Sequence, residues 1–357
     1  MTPPKYGFPA YVPYPKSAGT KIPRETVLDY LKLLDYLGRL IEKAAGKSTQ
    51  DLADEEYRPH DVTYLKLLLL WSYTLRFFQF GKRATRWYYI DLLSASGLSY
   101  TKSFPDDPVP GSCFMVPLAD QRFYDPDKPL ANGFAKVFCL DQDNAALARI
   151  AERRTALEKA YGLQFPEYSY HGDDANTSIA KVLEEIEAEA AKPIPKGALG
   201  PLTLVFVDNL GLNIHMRTIR EIQQRIRADL VVHLPTHAIW RCIEAYRKAG
   251  NEYQALNDFF GCDEWKNVTD ASQIPTLYHK LVQEATGHVF QDFTPVPIHG
   301  EKSRFHLCIY VRHTQGTDGK DGWLAIIRKL AEECGTITYE TIHSVRAVSS
   351  GKQKTLF

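Results

Sequence analysis

The sequence predicts an α/β fold, a mostly parallel, doubly wound sheet, on three observations. Four apolar runs, Trp87–Asp91, Val137–Asp141, Tyr168–Asp173 and Leu202–Asp208, each end in an acidic residue. Segments of helical periodicity separate them, at about Ala146–Tyr161, Ser178–Ala191 and His215–Arg227, and strands alternating with helices make parallel βαβ units. The first run leads into Asp91-Leu92-Leu93-Ser94-Ala95-Ser96-Gly97. A small-residue turn of this kind lets a strand drop toward a helix while backbone passes close to a ligand. Carboxylates therefore line the carboxyl edge of the sheet, where open α/β folds bind ligands.

The remaining elements extend this core. Residues 1–23, rich in Pro, Lys and Tyr, read as an irregular arm. Val27, Leu31, Leu34, Leu37 and Ile41 recur at helical steps between Arg24 and Lys47, with Gly46 as the stop. A second helix covers about Asp61–Phe80. Between Tyr100 and Asn132 lies an insertion carrying Pro105, Pro108, Pro110, Pro117, Pro126 and Pro129. A loop of that length is expected to be a lid or substrate loop. Asp229–Pro235 reads as a fifth strand, followed by a helix at Ala238–Ala249 and a helical insertion at Asn251–Trp265. Gly287–Val296 and Arg304–His313 form a closing antiparallel hairpin, and Asp321–Glu333 a last helix. The division expected is an arm and helical extension at 1–82, an α/β domain at 83–346 with insertions at 98–135 and 250–275, and a flexible tail at 347–357.

Composition narrows the class. The 357 residues are 44% hydrophobic and 24% charged, the balance of an ordinary globular chain. Lys plus Arg equals Asp plus Glu at 43 each, so nucleic-acid binding would need a local patch. The 6 cysteines have no C-x-x-C spacing and read as reduced structural thiols of a cytoplasmic protein, with no metal site. The N-terminus lacks the apolar core of a secretory signal. Lys66 and Arg76 interrupt the most apolar stretch, Leu65–Phe80, which is shorter than the roughly 20 residues of a membrane span. It reads as a buried helix, with no membrane partner.

The order Tyr89-Ile90-Asp91, Gly111-Ser112, Asp141, Gly172-Asp173 with Asn176, Asp208 with Gly211, Asp229-Leu230, and Phe259-Phe260-Gly261 with Trp265 resembles the three-Cys-motif partner family (TcmP). That family is similar in turn to class I S-adenosylmethionine-dependent methyltransferases. The resemblance runs from about Asp61 to about Leu330 and rests on order and spacing. The family usually has Asp-x-Phe-Ala-Gly-x-Gly after the first strand, where this chain has Leu93 for the phenylalanine and Ala95 for the first glycine. It usually has Asp-Pro-Phe-Gly after the fourth, where Asn209 and Leu210 stand here. The resemblance implies a Rossmann-like class I methyltransferase fold, S-adenosylmethionine as cofactor, nucleic acid as a partner, and a three-Cys-motif protein as another.

An adenosyl cofactor sets physical requirements. Asp91 with Ser94, Ala95 and Gly97 is placed to meet the amino-acid tail, Asp141 the ribose hydroxyls, and Asp173 the adenine edge. Helix capping at strand exits is the structural alternative for Asp91 and Asp141. Asp208 and Asn209 occupy the acceptor position, where a side-chain acceptor aims the target nitrogen and proximity does most of the work. The competing function is a catalytically degenerate binding or scaffold subunit, on the evidence of Ala95, Asn209 and Leu210. A third is a metal-dependent DNA-processing protein using Asp208 and Asp173. His171, His215, His233 and His237 crowd the same edge, as general base, metal pair or hydrogen-bonded structural groups. Lys82, Arg83 and Arg86, flanked by Phe77, Phe78, Phe80, Trp87 and Tyr88, read either as a phosphate-and-stacking patch or as core aromatics with a charged rim. The terminal Gln353-Lys354-Thr355-Leu356-Phe357 resembles peptides that dock on DNA sliding clamps, through Gln353, Leu356 and Phe357.

Overall fold

The computed structural model describes residues 24–48, 63–102, 104–119, 133–209, 211–249, 253–287, 290–299, 304–312, 342–344 and 346–347. The arm, the expected helix at Asp321–Glu333 and the clamp-like tail lie outside them.

Strands β1 (Trp87–Leu92), β4 (Lys136–Leu140), β5 (Glu167–His171), β6 (Leu202–Asp208), β7 (Ala228–Leu234), β8 (Phe290–His299) and β9 (Arg304–Arg312) form one 7-stranded sheet in the order β5-β4-β1-β6-β7-β9-β8. β1 pairs parallel with β4 and β6, β4 with β5, and β6 with β7; β9 runs antiparallel to both β7 and β8. This is the class I methyltransferase arrangement, closed by an antiparallel pair. Every residue of β1 is buried, as a central parallel strand covered on both faces requires.

Helices cover both faces. On one lie α1 (Arg24–Ala45), α2 (Thr63–Phe80) and α4 (Asn144–Tyr161), with Tyr89, Val137, Leu204, Phe206 and Val231 beneath them. On the other lie α5 (Ala175–Ala190), α6 (Met216–Arg225), α7 (Thr236–Ala249), α8 (Gln254–Phe260) and α9 (Ile274–Ala285), over Ile90, Phe138, Val205, Val207 and Val232. Asp143 caps α4 by accepting from Ala145 N and Ala146 N, and Gly162 ends it at φ 65°. Asp174 caps α5 through Asn176 N.

One expectation is corrected, and one pair of alternatives is narrowed. The described part of the 98–135 insertion is core. β2 (Leu98–Tyr100) pairs antiparallel with β3 (Pro108–Pro110), and the short α3 (Ser112–Met115) follows. Phe104, Val109, Cys113, Phe114, Met115 and Val116 are buried, so apolar burial holds this segment down and it is not a lid. Residues 120–132 are outside the described set. The aromatics beside Arg83 and Arg86 are also interior: Phe77, Phe78, Trp87 and Tyr88 are buried. Arg83 donates to Gly197 O, and Arg86 pairs with Glu189 at 3.5 Å. These four aromatics are core behind a charged rim.

The hairpin meets the end of β1 at a close backbone approach. Gly111 N donates to Gly97 O at 2.7 Å, and a Cβ on Gly111 would sit 2.7 Å from Gly97 Cα. Gly111→Ala is expected to destabilise the fold by roughly 1–3 kcal/mol. Gly200→Ala, whose Cβ would meet nothing nearer than 3.5 Å, should stay within about 0.5 kcal/mol of wild type; urea titration of both variants checks this.

Candidate active site

Strand order reverses beside β1: β4 and β5 lie on one side, β6 and β7 on the other. The carboxyl ends of β1 and β6 flank the crevice where such sheets bind ligands. Asp91, Asp208 and His233 share one face there, in alternation with core residues. Asp91 is in register with Phe206, and Asp208 with His233.

The turn after β1 is strained. Leu93 and Ala95 adopt φ of 69° and 50°, in the left-handed region that non-glycine residues enter at a cost. Surrounding bonds hold it. Leu93 N and Ser94 N donate to Leu140 O at 2.9 and 3.0 Å, Ser94 Oγ donates to Asp91 O, and the buried Arg153 donates to Ser96 O at 2.7 Å. Ala95, exposed at the tip, donates its N–H to Asp141 Oδ2 at 2.8 Å, while Asp143 N donates to Asp141 Oδ1 at 3.0 Å. The Asp141 carboxylate is thus fixed by two backbone donors on a half-exposed edge. Each of its oxygens keeps acceptor capacity for a further partner, which suits the two hydroxyls of a ribose.

The other tail-binding candidates lie deeper. Asp91 is fully buried and accepts from Ser112 Oγ at 2.7 Å. Burial pushes its carboxyl up to about 7, against the lowering effect of the Ser112 hydrogen bond; Asp208 adds to the rise and Lys66 opposes it. Ser94 is buried, and Gly97, at φ 78°, leaves no room for a Cβ against Phe114. These three residues shape the turn from beneath. Asp173 stands exposed past β5, on the side of β4 where an adenine beyond the ribose would lie.

At the end of β6 the structure supplies Asp208 with a partner that sequence reasoning missed. Lys66 of α2 places Nζ 2.5 Å from Asp208 Oδ2, and His233 Nδ1 lies 3.0 Å from Asp208 Oδ1; the three side chains are 10%, 18% and 12% exposed. Burial alone would raise the Asp208 carboxyl, but the Lys66 ammonium and His233 hold it well below the usual carboxylate range. Burial lowers His233, against the pull of Asp208, so its imidazole is neutral near pH 7. Asn209 is fully buried and committed at both ends, with Oδ1 accepting from Ile214 N at 3.1 Å and Nδ2 donating to His233 O at 3.4 Å. It braces the loop after β6. The signal for Lys66 was present in the sequence: a charge inside a buried apolar helix demands a partner.

The remaining histidines do not converge. His237 is exposed on α7 while His233 faces the interior, and His171 lies 3.1 Å from Ser169 Oγ. Among the described residues no group of three His, Cys, Asp or Glu side chains could hold a metal ion, and the charge of Asp208 is already matched by Lys66. No described helix is long and apolar enough to cross a membrane. Beyond the Asn209 loop, a groove of about 440 Å³ is lined by His215, Arg217, Arg220, Gln254, Asn257 and Asp258, among others.

No family model matches the sequence, and no curated protein matches it either. Among solved structures, the fold is similar to the complex of Trm1 from Pyrococcus horikoshii with S-adenosyl-L-methionine, at 10% identity and a TM-score of 0.34. The match covers 87% of this chain and 61% of that one, so this chain spans about three fifths of the neighbour's length.

Two outcomes follow from the electrostatics. The raised Asp91 carboxyl contributes stability that is complete below the ordinary carboxylate range and is lost as pH rises through about 7. Asp91→Asn should therefore flatten the dependence of stability on pH between pH 4 and 8, by at most roughly 4 kcal/mol, in urea titrations at pH 5 and pH 8. Lys66→Met leaves the Asp208 charge without its ammonium and should cost about 3–5 kcal/mol. Adding Asp208→Asn to that variant should recover part of the loss.

Proposed function

We propose that this chain is an S-adenosylmethionine-dependent methyltransferase, with the adenosyl group seated over Asp141 and the acceptor entering beside Asp208 and His233. The observation that carries the reading is the Asp141 carboxylate, held by the N–H groups of Ala95 and Asp143 at the end of a strained turn next to the switch point. Strain maintained by converging hydrogen bonds marks ligand clamps. The cofactor supplies a methyl group on a positively charged sulfur. The chain supplies placement: Asp141 takes the ribose, Asp173 reaches the adenine edge, and the Leu93–Gly97 turn bounds the amino-acid tail. Asn209 supports the acceptor position indirectly by fixing the loop after β6.

Nucleic acid is the acceptor class we favour, with the three-Cys-motif partner system as the setting the sequence resemblance suggests. The groove past Asn209 supports it: Arg217 and Arg220 are exposed one turn apart on α6, with His215 beside them. That is a spacing for phosphate contacts, which position a strand without reading its sequence. A second reading, cofactor binding without turnover, is favoured by the commitment of Asp208 to Lys66.

Calorimetric titration with S-adenosylmethionine is expected to show binding in the wild type, at least tenfold weaker in Asp141→Ala. No binding at millimolar ligand would remove the reading. Arg217→Ala with Arg220→Ala should weaken RNA or duplex DNA binding and lower its salt dependence, while leaving the calorimetric affinity for cofactor unchanged.

A further inference from the structure

Three polar atoms lie together at the carboxyl ends of β6 and β7, buried and without a full hydrogen bond: Asp208 Oδ1, His233 Nδ1 and His233 Nε2. Nδ1 lies 3.0 Å from Oδ1, an ion-pair distance that does not complete a hydrogen bond for either atom. Buried polar groups are nearly always paired, and leaving one unpaired is costly, so such a cluster in a crevice calls for an incoming polar group. The opposite side of the ring is apolar: Phe305 of β9 meets it edge to face at 4.5 Å between centroids. Lys66 fills the other oxygen of Asp208, so Asp208 is not free to hold an acceptor amine by itself.

We propose that His233 is the proton acceptor of the site, with Asp208 as its positioning residue; the inference rests on the methyltransferase reading above. The cofactor, when bound, supplies a methyl group whose bond to sulfur breaks, leaving the electron pair on sulfur, as the bond to the acceptor nitrogen forms. A nitrogen that gains a methyl group and ends neutral gives up one proton. His233 Nε2 takes it, and the imidazolium that results faces the Asp208 carboxylate through Nδ1–H. The groups that face His233 are Asp208 from β6, the Asn209 backbone just past it and Lys66 from α2; Asp91 from β1 interacts with Asp208 and Lys66 in turn. Lys66 keeps Asp208 ionised, so the acceptor of the Nδ1 proton is always charged. Burial keeps the ring neutral near pH 7, the state a base requires.

The test uses the full chain labelled with ¹⁵N-histidine. Long-range nitrogen–proton correlation spectra at pH 7.5 are expected to show the His233 ring protonated at Nδ1 and bare at Nε2, with that preference lost in Asp208→Asn. A ring protonated at Nε2, or on both nitrogens, overturns the proposal. In parallel, His233→Gln is expected to bind S-adenosylmethionine with wild-type affinity by calorimetry. It should transfer tritiated methyl groups to total tRNA or duplex DNA about 10²–10⁴-fold more slowly, with the acidic limb of the pH–rate profile gone. A variant that keeps the wild-type rate and profile overturns the proposal. Failure of the wild type to bind cofactor would instead overturn the methyltransferase reading, while the tautomer would still decide the Asp208–His233 pairing.

Discussion

The ion pair between Lys66 and Asp208 joins the N-terminal helices to the working edge of the sheet, and most of the site's character depends on it. Its contribution to stability is secondary, because desolvating two charges offsets most of their attraction. The apolar side chains of α2, with Leu67, Leu68, Leu70 and Trp71 buried, supply the burial that holds the helix down. The pair fixes where along the sheet the helix stops. A second contact, Tyr73 OH donating to Asp229 Oδ2 at 2.8 Å, pins the other end. Seven helical residues rise about 10.5 Å, close to the roughly 13 Å spanned by four strand residues between Asp229 and His233. Two polar contacts at that separation leave α2 a single register.

From that register the protonation states of the edge follow. With Lys66 against Asp208, one carboxylate stays ionised although it is buried. Asp91, on the same face, is pushed toward neutrality by its burial and, to a lesser degree, by the charge of Asp208, against the opposing hydrogen bond from Ser112. Two carboxyls with opposite preferences, set by their surroundings, are a recurrent way to assign different roles to like groups. The strained Leu93–Gly97 turn lies beside them, and Arg153, reaching from α4 to Ser96 O, stabilises its shape from the interior. The edge is built before any ligand arrives, as the proposed transfer, driven by placement, requires.

Much of the fold was legible in the sequence because buried parallel strands are continuous apolar runs, and four of the five here have a carboxylate at or just past their ends. Leu202–Asp208 has the same bounds as β6, and the order of elements through α8 follows the periodicity. Helix starts differ by two or three residues where a cap decides them: Asp143 and Asp174 begin α4 and α5 ahead of the first apolar residue. The hairpin after β1 was not legible, since prolines and glycines read as loop while its burial comes from α1 and α2, which are distant in sequence. Asp141 was legible as a strand-exit carboxylate. His233 was legible as a residue of the same edge, but Lys66 was not legible as the partner of Asp208, because a pair separated by 142 positions leaves no local pattern. Asn209 was read as an auxiliary acceptor for the same reason: its partners, Ile214 N and His233 O, appear only when β6 and β7 are side by side.

In the proposed reading the edge from Asp141 to His233 is one site, with an adenosyl half over β4 and an acceptor half over β6 and β7. A crystal structure of the protein with S-adenosylhomocysteine tests it most directly. Both ribose hydroxyls are expected within hydrogen-bond distance of Asp141, with the sulfur facing the side of Asp208 and His233. Ligand bound elsewhere on the chain, or a ribose held without Asp141, would contradict it.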